Sequence, residues 1–106
     1  MPASADPNPR MEPIENLDRV IHEPARLKIL TQLYVVDSGD FTYLMRVTGL
    51  TRGNLSSHMT KLEEAGYIKI KKEFVDRKPL TMLRLTPDGR KALETYRKTM
   101  AKIIRI

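Results

Sequence analysis

The chain has 106 residues, which fits one domain rather than two, because a single hydrophobic core usually serves about 100–150 residues. It contains no cysteine, so that disulfides, thiol-based redox sensing and cysteine-ligated zinc are excluded. The formal net charge is +6. Residues 44–84 contain nine basic and four acidic side chains, and residues 85–106 contain six basic and two acidic ones. This basic excess suggests a polyanionic partner, although exposed lysines on any soluble protein can produce it.

The start of the chain differs in composition from the rest. Residues 1–12 contain three prolines and several small polar residues without apolar periodicity, which predicts a disordered leader. No window approaches the roughly 20 apolar residues of a membrane span, and the N-terminus lacks a secretory signal pattern. We therefore expect residues 13–106 to form one cytoplasmic domain without membrane contact.

Apolar spacing predicts three helices in the first half of the chain. Residues 14–21 carry apolar side chains at spacings of three and four, typical of a short first helix. Pro24 suits the first turn of a second helix that continues to about residue 36. Residues 37–40 are a turn cluster, after which Thr42 can cap a short helix that ends at Gly49.

The second half predicts a helix, a hairpin and a last helix. Thr51 can cap a helix over about 51–65, and Gly66 suits its termination. Alternation then predicts two strands, 68–74 and 80–85, joined by an exposed basic loop within a hairpin of about 67–85. Thr86 begins a final helix over about 87–105. The predicted fold class is therefore mainly α with a small β-hairpin (α+β).

The predicted helix 51–65 has two chemically distinct faces. Leu55, Met59 and Leu62 fall together and should face the core. The opposite face is small, polar or basic and has no acidic side chain before residue 63. Such a face suits the major groove of a duplex, since free N–H groups at a helix N-terminus favour phosphate. The alternative is an ordinary solvent-exposed polar face.

Several stretches together resemble one known family. Residues 50–59 (LTRGNLSSHM) and 61–68 (KLEEAGYI) are similar to the recognition helix of prokaryotic winged helix-turn-helix regulators of the MarR and ArsR type. The similarity continues through Arg77, Pro79, Thr81 and residues 83–90, and also covers residues 24–30. It implies that the recognition helix enters the major groove of double-stranded DNA while the hairpin, or wing, touches the backbone or minor groove.

We assign the expected DNA contacts by chemistry. Arg52 and Asn54 can reach base edges, because arginine pairs with guanine and asparagine with adenine. The basic side chains should mainly set the affinity for DNA by contacting phosphate groups. The alternative is that they form an ordinary solvent-exposed strand edge whose charge prevents aggregation. The predicted DNA-binding residues are Thr51, Arg52, Gly53, Asn54, Ser56, Ser57, Thr60, Lys61, Lys71, Lys72, Arg77 and Lys78.

The last helix carries an apolar stripe at heptad-like spacing. This stripe can cover the domain's own core or pair with a second copy of the chain. The family resemblance implies a homodimer through the terminal helices, which would read half-sites about 10 bp apart. The predicted dimerisation residues are Ile14, Leu17, Ile21, Leu93, Tyr96, Met100 and Ile103.

Other functions have weaker support in the sequence. There is no glycine-rich phosphate loop and no nucleophile with a convincing base, so we expect no enzyme. His22 and His58 form no cluster, and neither a metal nor a cofactor is expected; whether a small-molecule effector binds is left open. The prediction is a regulator, specifically a repressor. The rival is a winged-helix module that binds protein or RNA, although the few aromatic residues are assigned mostly to the core or the helix stripe.

Overall fold

The computed structural model describes residues 13–105 of the chain. The predicted leader, 1–12, and the last residue lie outside this range. A single 3-10 turn, Ile14–Asn16, precedes four helices and three strands. In chain order these are α1 (Pro24–Val36), β1 (Ser38–Asp40), α2 (Phe41–Thr48), α3 (Arg52–Glu64), β2 (Ile68–Val75), β3 (Lys78–Leu85) and α4 (Pro87–Ile104).

Side-chain caps set the helix starts. Thr51 and Thr86 cap α3 and α4 as predicted, each accepting a hydrogen bond from the backbone N–H three residues later. The prediction that Thr42 caps α2 is wrong. Asp40 is the cap, and its carboxylate accepts a hydrogen bond from the Tyr43 N–H at 2.8 Å, so that α2 begins two residues earlier than predicted.

The predicted first helix, 14–21, is wrong beyond its first turn. The Asp18 carboxylate accepts hydrogen bonds from the Val20 N–H at 2.9 Å and the Ile21 N–H at 3.2 Å. The Asp18 carboxylate thereby satisfies backbone N–H groups that a helix would pair with carbonyl oxygens, which favours a turn over a helix. Leu17 and Ile21 are nevertheless buried, as the apolar spacing implied.

The sheet has three antiparallel strands in the order β1-β3-β2. The sequence predicted a two-stranded hairpin and a turn at 37–40, but residues 38–40 pair with β3, with Gly39 opposite Leu83. A strand of three residues is too short to show alternation. The glycine is required there, because a Cβ would lie 2.8 Å from the Tyr43 ring.

The hairpin turn is tighter than predicted. The expected loop, 75–79, reduces to Asp76 and Arg77, which have φ values of 53° and 67° and separate the strands by two residues. Positive φ at both central positions is typical of the turn that matches the twist of paired strands. Lys78 and Pro79 consequently belong to β3 rather than to a loop.

One hydrophobic core holds the domain together. Helix α3 rests on α1 and on β2, while the start of α4 packs against the segment that joins α3 to β2. The largest fully buried side chains come from the turn after Asp18 and from α1, α2, α3, β2 and β3; they are Ile21, Ile29, Leu30, Leu33, Leu44, Leu55, Leu62, Ile68 and Leu83.

Candidate nucleic-acid interface

The two faces predicted for α3 are confirmed by burial. Leu55 and Leu62 are fully buried and Met59 packs against the core. Ser56 is half-buried at the boundary between the faces. The exposed face contains six of the predicted DNA-binding residues, namely Arg52, Gly53, Asn54, Ser57, Thr60 and Lys61.

The N-terminus of α3 is open and positively charged. The Thr51 hydroxyl accepts a hydrogen bond from the Asn54 N–H at 3.2 Å, so this side chain serves the helix itself. Apart from its chain neighbours and the backbone of its own helix, nothing lies within 4 Å of the position that a Cβ on Gly53 would occupy, so a duplex could approach this turn closely. The Arg52 guanidinium lies 5.4 Å from the centre of the Phe41 ring, which supports its orientation at the positive end of the helix dipole.

A polar cluster fastens α3 to α1. The Arg26 guanidinium lies 3.2 Å from Nδ1 of His58 and donates to the Val20 carbonyl at 2.5 Å. Glu23 lies 3.8 Å from the same imidazole nitrogen. The structure therefore places both side chains beside the His58 imidazole. When the imidazole is neutral, the contact with Arg26, which can only donate, favours the His58 tautomer with its proton on Nε2.

The Glu23 carboxylate is held in its charged form. Burial acts to raise its pKa, but the hydrogen bond from the Arg26 N–H and the charges of His58 and Arg26 outweigh that effect and lower the pKa overall. The same carboxylate is the N-cap of α1. One acidic side chain therefore fixes both the start of α1 and a contact to α3.

The wing carries the other predicted contacts. Lys72, Arg77 and Lys78 are exposed. Lys71 lies on the opposite face of β2 from Lys72 and pairs with Glu73 at 3.3 Å. The four basic side chains are thus close in sequence but do not form one continuous surface, and Lys71 is already partly neutralised.

Two exposed side chains were missed by the sequence analysis. Arg46, in the last turn of α2, is exposed and its guanidinium lies 5.7 Å from the Tyr43 ring centre. The first helix of a helix-turn-helix crosses the DNA backbone, so a basic residue there could have been noted from its position before the turn. Phe74, on the wing, is 77% exposed, although the sequence assigned most of the aromatic residues to the core or the helix stripe.

The proposed dimerisation residues divide into two groups. Leu17, Ile21, Leu93 and Tyr96 are buried within the monomer, and Tyr96 shares a hydrogen bond with Nδ1 of His22 at 2.8 Å. Met100 and Ile103 are half-buried and Ile14 is exposed. An open, mainly apolar cavity of about 650 Å³ lies between α1 and α4, where Leu27, Tyr34 and Met100 are among its lining residues.

The arrangement defines a class of protein. A short helix, a tight turn and a polar recognition-type helix are followed by a basic two-stranded wing, which is the winged helix-turn-helix arrangement. The model of the winged helix DNA-binding domain family matches residues 25–104, and the chain belongs to this family. Within residues 13–105, no helix is long and apolar enough to cross a membrane.

Known proteins agree with this membership. An uncharacterized protein from Methanocaldococcus jannaschii is 36% identical over 78 residues, which are 74% of this chain and 85% of the relative. The structure of a transcriptional regulator homologue from Pyrococcus horikoshii superposes with a TM-score of 0.79 at 30% identity, covering 83% of this chain and 87% of that one. A MarR-family transcriptional regulator from Silicibacter pomeroyi shares the fold, with a TM-score of 0.60 at 20% identity and coverage of 81% and 55%.

Proposed function

We propose that this protein is a sequence-specific, double-stranded DNA-binding transcription regulator that acts as a homodimer and represses transcription. The observation that carries this proposal is the exposed face of α3. From Arg52 to Lys61 it presents only small, polar or basic side chains, and its first turn is sterically open at Gly53. A surface that bound an apolar or basic protein partner would carry apolar or acidic groups instead.

The exposed residues take different roles in the proposed complex. Asn54 and Arg52 reach base edges, because both side chains can form two hydrogen bonds to one base. Ser57 and Thr60 make adaptable polar contacts, and Lys61 pairs with phosphate. Arg77, Lys78 and Lys72 on the wing add phosphate contacts, each of which makes binding more sensitive to salt.

The homodimer is supported by the apolar surface that the monomer leaves uncovered. The first half of the α4 stripe, Leu93 and Tyr96, completes the monomer's own core. In the second half, Met100 is only partly buried and lines the open cavity between α1 and α4, so it is available to a second copy. The exposed Ile104 lies further along the same helix. A two-fold pair through these helices would present two copies of α3 to successive turns of the duplex, about 10 bp apart.

Repression follows from occupancy alone in this proposal. A dimer seated across two major-groove half-sites covers DNA that a polymerase would need, so no additional contact is required. The prediction is checked with a reporter placed behind the selected site. Expression of the protein should lower transcription, and an increase would identify an activator instead.

Selection from a randomised duplex library is the first experiment. The full chain should enrich a two-fold-symmetric motif and bind it at least about 1000-fold more tightly than a scrambled duplex in anisotropy titrations. Asn54→Ala should weaken binding to the motif by about tenfold or more and relax the choice of one base pair, whereas Lys98→Ala, an exposed position on α4, should leave both unchanged. If no motif is enriched and binding disappears with modest salt, the proposal is wrong.

A further inference from the structure

The wing has an inner face whose chemistry changes along its length. Side chains alternate along a strand, so Ile68, Ile70, Lys72 and Phe74 share one face of β2. Ile68 and Ile70 pack in or against the core. Phe74 lies six residues beyond Ile68, or about 20 Å along the strand, where it no longer belongs to the core.

The ring of Phe74 has an apolar neighbour across the hairpin. Its cross-strand partner is Pro79, which is exposed as well. Phe74 is 77% exposed, which is unusual for an aromatic side chain on a charged hairpin. We refer to these two residues, Phe74 and Pro79, as the apolar tip.

Two cations lie near the apolar tip. Lys72 precedes Phe74 on the same face, and Arg77 shares the two-residue turn with Asp76; all three are exposed. Lys78 pairs with Val75 and therefore lies on the opposite face. An apolar protein groove would have to desolvate these charges without partners, which is costly. A duplex offers the complementary surface, because the minor groove has phosphates on both rims and apolar sugar and base edges between them.

The family resemblance already implies that the wing touches the backbone or minor groove. We propose that Phe74, in the apolar tip, presses against a base step of the minor groove beside the major-groove half-site. Phenylalanine and proline are among the side chains that wedge between base steps in minor-groove complexes. Pyrimidine–purine steps unstack most easily, so the contact would favour such a step at a fixed distance from the half-site. This inference rests on the function proposed above and adds a specificity-determining residue to it.

The test uses the selected duplex with 2-aminopurine placed in turn at each flanking position. The full wild-type chain should raise the fluorescence at one flanking step, because unstacking relieves quenching. Phe74→Ser should abolish that increase and weaken binding about tenfold, the usual cost of losing one specific contact. Val75→Ser is the matched control, since Val75 is the next residue on the strand, is 50% exposed and faces the other side; it should behave like wild type.

Several outcomes overturn the inference. Phe74→Ser could bind the duplex like wild type with an unchanged fluorescence signal. It could change the oligomeric state without DNA, which would place the ring in a contact between copies, or it could weaken binding only to single-stranded RNA. Phe74→Leu guards against misfolding and should keep most of the affinity. If wild type selects no duplex, the proposed function has failed; if it selects one and Phe74 has no effect, only this inference has failed.

Discussion

Gly89→Ala provides a sharp test of how α4 is seated. Gly89 is the third residue of α4, and replacement of a helical glycine by alanine ordinarily stabilises a helix by up to about 1 kcal/mol. Here the new Cβ would lie 2.1 Å from the Tyr67 carbonyl oxygen and 2.9 Å from a methyl group of Leu85. The carbonyl cannot move freely, because it also accepts a hydrogen bond from the Thr86 N–H at 3.1 Å.

The magnitude follows from these contacts. Relief of the overlap requires α4 to shift by about 1 Å, and overpacking of this kind costs about 1–3 kcal/mol. Disturbing the hydrogen bond to Tyr67 adds about 1 kcal/mol, and the helix preference of alanine offsets up to about 1 kcal/mol. We expect Gly89→Ala to lower the free energy of unfolding by about 1–4 kcal/mol, or the urea midpoint by about 0.5–2 M for a slope of about 2 kcal/mol/M.

Gly53→Ala is the matched control in the same molecule. Gly53 is the second residue of α3, and apart from its chain neighbours and the backbone of its own helix, nothing lies within 4 Å of its added Cβ. This variant should be as stable as wild type or more stable, but it should bind the selected duplex more weakly, because the methyl group occupies the space closest to the DNA. Urea unfolding followed by circular dichroism, with anisotropy titration, separates the two effects. A Gly89→Ala protein as stable as wild type would refute the argument.

Three further predictions concern polar contacts. Burial and, secondly, the hydrogen bond that the Tyr67 hydroxyl donates to Asp18 raise the pKa of Tyr67 to about 12. The contribution of protonated Tyr67 to the stability of the folded protein is therefore complete below about pH 10 and is lost as the pH rises through about 12. Between about pH 9 and pH 11.5, wild type should lose about 1 kcal/mol more stability than Tyr67→Phe in urea titrations, after allowance for solvent screening. Arg26→Ala should cost about 1–3 kcal/mol in unfolding and also weaken DNA binding, while Lys28→Ala, exposed on the same helix, should do neither. Arg77→Ala should reduce the slope of log affinity against log salt by about 0.9 without changing the selected motif, and an unchanged slope would remove Arg77 from the phosphate contacts.

The local chemistry of the chain made most of the fold predictable. Caps such as Thr51 and Thr86 act on the backbone three residues away, so their effect can be read without the tertiary structure. The predicted first helix failed because Asp18 competes for the same backbone donors, a choice that apolar spacing does not reveal. The strand at Gly39 was missed because only its pairing with Leu83 defines it.

The candidate site was predictable where periodicity determines it. The exposed face of α3 follows from the positions of Leu55 and Leu62 alone. The contact between Arg26 and His58 joins residues 32 positions apart, and no local pattern indicates it. For Phe74, alternation predicted the correct face of β2, but it could not show at which residue this face extends beyond the core.

The structure also indicates how a change at the proposed dimer surface would affect DNA binding. α1 lines the cavity against α4 on one side and, through Arg26 and His58, fastens α3 on the other. The start of α4 is fixed to Tyr67, three residues after the end of α3, by the hydrogen bond that the Thr86 N–H donates to the Tyr67 carbonyl. If α1 moves relative to α4, then α3 must move with one of these two helices, or one of the two contacts must break. Pairing through the cavity would consequently fix the orientation of α3, which gives the dimer a role in DNA reading beyond supplying a second half-site.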